Sequence, residues 1–230
     1  LGVVALSNRF RRSKAISLAE VLVYLVLIGI LMTGVLGVLV STLRYYKYAD
    51  KMADLQQSAL LAMQAVSADL SEANQSSVKM DTAAVGGSTW IAFLTSKNAD
   101  GTYEFDNFSG QIKWQAWIIY CLKTQPNNDI YLIKKTVPLS PATIAPNIAT
   151  PPFSVTEAGV TGNIAGQKVK TVAKMWVYAS NVTPVHKFLI VRGAAPTRLR
   201  NYTMNLTIDR TTDSTKPSRL EASTDITVKN

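Results

Sequence analysis

The chain has 230 residues but only one cysteine and one histidine. With Cys121 alone, an internal disulfide and any zinc site built from several cysteines are excluded. With His186 alone, a histidine-cluster metal site is excluded too, and a Ser-His-Asp triad becomes a poor fit. No Walker loop, dinucleotide fingerprint, HExxH, GxSxG or EF-hand pattern occurs. Asp100-Gly101 and Asn127-Asn128-Asp129 offer oxygen ligands of the calcium-loop kind, but lone acidic turns of this composition read as turns. The expectation is a protein that is no enzyme and holds no resident cofactor or metal. Charge is also scarce, at 17% of residues, and proline is absent before Pro126.

What charge there is leans one way, to a net +9, yet the mean hydropathy is positive at +0.11. Basic soluble proteins are usually richly charged, so the combination needs an explanation. Arg9, Arg11, Arg12 and Lys14 form a basic cluster with no acid among residues 1–15. Without that stretch the net charge falls from +9 to +5, because four basic residues and no acid leave. The basicity is thus partly an N-terminal address, and nucleic acid is an unfavoured partner.

From Val21 to Leu43 no residue is charged and nearly all are apolar. Roughly 20 helical residues span a bilayer core, so residues 16–43 read as a transmembrane segment. The basic residues before it outweigh Arg44, Lys47 and Lys51, which Asp50 and Asp54 dilute. The positive-inside bias then predicts a cytoplasmic N-terminus, with the rest of the chain across the membrane. A cleaved secretory signal is the competing reading. Its apolar region is usually about 7–15 residues and ends at a small-x-small site, whereas this run is longer and flows into a helical pattern.

Glu20 stands at the edge of the apolar run. A carboxylate there is costly at depth and marks a functional position by default; the plainer alternative is that it reaches to the headgroups. The run Arg12-Ser13-Lys14-Ala15-Ile16-Ser17-Leu18-Ala19-Glu20-Val21-Leu22-Val23 resembles the N-terminal signature of type IV prepilins and type II secretion pseudopilins. That family has a short basic leader, a small residue before the cleaved bond, a hydrophobic residue after it, and Glu fifth in the mature chain. The resemblance implies a leader over residues 1–15, cleavage between Ala15 and Ile16 by a prepilin peptidase, and N-methylation of Ile16. Glu20 is then the fifth mature residue. Ala15 in place of the usual Gly, and Ile16 in place of the commoner Phe or Met, are departures that leave open whether processing is slowed. In an assembled filament the family's buried amine pairs with the Glu of a neighbouring subunit. An unpaired buried charge is expensive, so such a pair would favour one axial register.

Within the span, Gly29, Thr33, Gly37 and Ser41 recur every four residues, a stripe that lets membrane helices approach closely. Gly37 is the twenty-second mature position, where many major pilins have Pro, a departure that argues against a major pilin. Beyond the membrane, Tyr45, Tyr48, Met52, Leu55, Ala59, Ala62, Val66, Leu70 and Ala73 advance by threes and fours. Residues 44–77 therefore read as an amphipathic continuation of the same helix, ending in Asn74-Gln75-Ser76-Ser77. From Ile16 to Ala73 it would be roughly 85 Å long at 1.5 Å per residue. Its C-terminal half is expected to pack on the chain's own globular part, and Tyr45, Tyr46 and Tyr48 to lie at the membrane interface.

Residues 78–230 change to a period of two. Ile112, Trp114, Ala116, Ile118, Tyr120 and Leu122 alternate with the residues between them. A turn at Pro126–Asp129 then leads into Ile130–Val137 as a hairpin. Val169–Tyr178, Phe188–Val191, Tyr202–Ile208 and Leu220–Val228 read as further half-buried antiparallel strands. The prolines between Pro138 and Pro152 suggest a long irregular connection. The fold class is α+β: one long N-terminal helix on a mostly antiparallel, periplasmic β domain. The resemblance is most like the minor subunits, the J-type pseudopilins and the W-type minor pilins. It implies an inner-membrane protein whose partners are other minor and major pilin or pseudopilin subunits in a tip or initiation complex. The alternative function is an adhesin or DNA-uptake receptor acting through the β domain.

Overall fold

The computed structural model describes residues 17–80, 89–98, 100–127, 129–146, 150–177, 187–192, 201–210 and 218–228. Ala15, Ile16 and His186 lie outside them. The chain divides into two compact units, Leu1–Ala49 and Asp50–Asn230.

Helix α1 runs from Leu18 to Ser71 and crosses that division. In the first unit every described residue is exposed. The helix is long and apolar enough to cross a membrane, and none of its most apolar 18-residue stretch is buried. A core helix of a soluble protein would be covered by its own chain.

In the second unit α1 buries the predicted stripe: Leu55, Ala59, Ala62, Val66 and Leu70. Helix formation stops at Ser71, three residues before the polar stretch expected to end it, and Asn74 caps a 3-10 turn at Gln75–Ser77. The Asn74 side chain accepts from the Ser76 amide at 2.8 Å, using the residue's tendency to bond its own backbone two positions on.

Eight strands form one sheet among the described residues. They are β1 (Lys79–Met80), β2 (Trp90–Thr95), β3 (Trp114–Thr124), β4 (Ile130–Thr143), β5 (Lys168–Val177), β6 (Lys187–Arg192), β7 (Asn201–Arg210) and β8 (Ser218–Thr227). The first five follow in order, all antiparallel. β7 meets the end of β5 in parallel and pairs antiparallel with β6 and β8. The β3–β4 hairpin closes at Thr124↔Ile130 around the predicted turn.

β4 continues through Pro138 and Pro141 to Thr143, where an irregular connection was expected. Pairing with β5 ends at Thr136↔Lys168, and the β3 register shifts between Trp114 and Ala116 opposite this segment. Proline lacks a donor and is accepted where the ladder is bulged or unpaired.

Hydrophobic clusters lie on both faces of the sheet, the second of them over β2, β3 and β4. Leu55, Ala62, Val66 and Leu70 of α1 pack with Phe93, Tyr120, Leu132, Met175, Ile190 and Tyr202 on one face. Trp90, Trp117, Ile119, Cys121 and Ile133 make the second core with Val160 and Ile164. Val160 belongs to a short helix, α2 (Glu157–Thr161), capped by Thr156. Gly159 is required there, since a Cβ would lie 2.2 Å from the Ser154 carbonyl oxygen.

Candidate assembly site

The residues singled out by sequence lie along the exposed half of α1. Glu20 is in its first turn. Its backbone N–H lies 3.2 Å from the Ser17 hydroxyl oxygen and 3.0 Å from the Ser17 carbonyl oxygen. Ser17 therefore caps the helix, and Ser17-Leu18-Ala19-Glu20 has the spacing of a capping box. The sequence carries this signal in the S-x-x-E spacing of Ser17 and Glu20. The Glu20 carboxylate is exposed and meets no cation among the described residues.

Gly29, Thr33, Gly37 and Ser41 are all exposed. The Thr33 hydroxyl donates to the Ile30 carbonyl at 2.7 Å, so its polarity is satisfied within the helix. A Cβ added at Gly29 or Gly37 would meet nothing within 4 Å. Glycine inside a helix costs about 1 kcal/mol relative to Ala, and no contact among the described residues requires it. The smooth surface is compatible with the close approach of a helix from another molecule.

One polar cluster of the second unit sits beneath α1. Asp69 accepts from the Tyr120 hydroxyl and pairs with the Lys134 ammonium, while the Ala65 carbonyl oxygen lies 3.1 Å from Tyr120 Oη. Burial, with the Asp69 charge added, raises the Tyr120 pKa, so its proton stays in place as a donor. On the opposite face Lys135 is buried, and its ammonium donates to the carbonyls of Val160 and Gly162 at 2.7 and 2.6 Å. Burial lowers the Lys135 pKa. These bonds go to carbonyls at the C-terminal end of α2, where a cation is favourable. No sequence pattern marks Lys135 as buried.

The carboxylates of the two acidic turns are bonded to neighbouring protein groups. Asp100 accepts from the Thr102 amide and hydroxyl at 3.0 and 2.7 Å. Asp129 pairs with Lys174 at 2.9 Å and accepts from Asn127 at 3.0 Å. No group of three or more metal-ligating side chains occurs among the described residues.

Cys121 is buried and free. Burial pushes its thiol up to about 11, against a partial opposing pull from Lys135 and Lys123. The thiolate is the reactive form. Maleimide labelling of the native chain near neutral pH is therefore expected to be about 10²-fold slower than labelling of the unfolded chain. Equal rates would contradict this burial.

Neither a family model, nor a curated protein, nor a solved structure matches the chain.

Proposed function

We propose that the chain is a minor pseudopilin or pilin subunit. In this reading a prepilin peptidase processes it between Ala15 and Ile16, and it joins other pilin-like subunits in a tip or initiation complex. The observation that carries the reading is a single helix with two different halves. One half is apolar, exposed among the described residues and headed by Glu20. The other half is amphipathic and packed on an antiparallel sheet. A protein needing only a membrane anchor has no use for a lone carboxylate at the head of the span or for surface glycines without contacts. Both suit lateral packing against other helices, with Glu20 taking the methylated Ile16 amine of a neighbour. The N-terminus would face the cytoplasm and the β domain the periplasm. Co-expression with a prepilin peptidase tests the reading: the leader should be lost, and it should be retained beside a catalytically dead peptidase.

A further inference from the structure

A groove of about 570 Å³ runs between α1 and strands β4 and β5. Its floor carries Lys134 and Thr136 of β4, which lie directly opposite Lys170 and Lys168 of β5. Cross-strand partners project to the same face, so the three lysines share the side that faces α1. Asp69, the sole acid lining the groove, is already bonded to Lys134 and Tyr120. Lys168 and Lys170 are exposed and form no salt bridge among the described residues. The next lysine along the strand, Lys174, shows the contrast, since Asp129 neutralises it. Like charges directly opposite each other destabilise a sheet, and here the chain supplies one carboxylate for three ammonium groups.

We infer that this groove binds an extended acidic segment of a different protein, with two carboxylates in an acid-x-acid spacing received by Lys168 and Lys170. Alternate residues of a strand lie roughly 6.5–7 Å apart, and an extended ligand repeats that spacing. Leu61, Ala65 and Ala68, at helical spacing on α1, form the apolar wall for the remainder of the segment. A second copy of this chain is a poor occupant. Its only acid-x-acid sequence is Glu104-Phe105-Asp106. There Glu104 is held by Lys113 at 2.9 Å and Gln115 at 3.0 Å, and Asp106 by the Ser109 amide at 2.8 Å. Nucleic acid is disfavoured because the only aromatic lining the groove is Tyr120, which is buried and offers no face for stacking.

The test uses the full chain in detergent micelles and fluorescence anisotropy of labelled decapeptides. One contains Glu-Thr-Glu, a second has Gln-Thr-Gln in its place, and a labelled oligothymidylate of similar length is the third probe. The expected result is that the Gln peptide binds at least about tenfold more weakly, and that raising salt weakens the Glu peptide alone. Lys168→Glu with Lys170→Glu should abolish binding, and Lys168→Arg with Lys170→Arg should keep it. Circular dichroism checks that both variants remain folded; a charge-reversed pair that unfolds is replaced by Lys168→Gln with Lys170→Gln. Equal binding of the two peptides, binding of neither, or tighter binding of the oligothymidylate overturns the inference. None of these readouts depends on leader processing, so the groove and the subunit reading can fail separately.

Discussion

Replacing Glu20 with Leu is expected to leave the chain inserted in the membrane and to lower its incorporation into assemblies by roughly two orders of magnitude. Removing one partner of a buried ion pair costs about 3–5 kcal/mol, because the other charge keeps its desolvation penalty. The alternative role of Glu20, a favourable charge at a helix N-terminus, is worth only about 0.3–1 kcal/mol. The size of the effect therefore separates the two roles. Helix initiation should survive the change, since Ser17 accepts from the backbone N–H of Glu20 and not from its side chain. Site-specific cross-linking of the chain to neighbouring subunits in membranes is the measurement. Cross-linking of Glu20→Leu at the wild-type level would remove the carboxylate from assembly.

The largest loss of stability is expected at Trp117. This ring is fully buried in the core opposite α1 and meets Phe153 edge-on at 5.8 Å between centroids. Trp117→Ala should cost about 3–5 kcal/mol, the usual range for emptying a large aromatic site. Trp117→Phe should cost much less. The indole N–H has no acceptor among the described residues, and an unpaired buried donor is itself destabilising. Phe removes that group while refilling part of the space. Denaturant unfolding of the two variants checks both values, and a Phe variant as unstable as the Ala variant would contradict the packing described.

How legible these features were in the sequence depends on how far apart their parts lie. The buried stripe of α1 from Leu55 to Leu70 follows directly from its spacing, because one face of a helix meets one sheet. β3 is buried on both faces from Ala116 to Cys121, but β7 and β8 were readable for a similar reason, alternating between their two faces. β2 was not, since Trp90–Leu94 is buried on both sides and an unbroken apolar run has no period of two. α2 is five residues long, too short to show a helical period. Its carbonyls depend on Lys135, a residue 25 positions away from Val160.

The candidate sites divide along the same line. Glu20 and the glycine stripe are local patterns on one helix, so sequence alone located them. Asp69, Tyr120 and Lys134 come from three elements, and the Lys168–Lys170 groove exists only because the β4–β5 register sets Lys134 opposite Lys170. Nothing in a single strand encodes that register. Pro138 misled for a related reason: proline usually ends a strand, unless the partner strand is bulged or absent at that point.

The proposed subunit is cut and assembled, and not merely anchored. Mass analysis of the N-terminus of the protein extracted from membranes, after co-expression with a prepilin peptidase, tests it most directly. The expected product is a chain beginning at Ile16 and carrying one added methyl group on its amine. A chain that keeps residues 1–15 in the presence of active peptidase, or one that begins beyond Glu20, would contradict it.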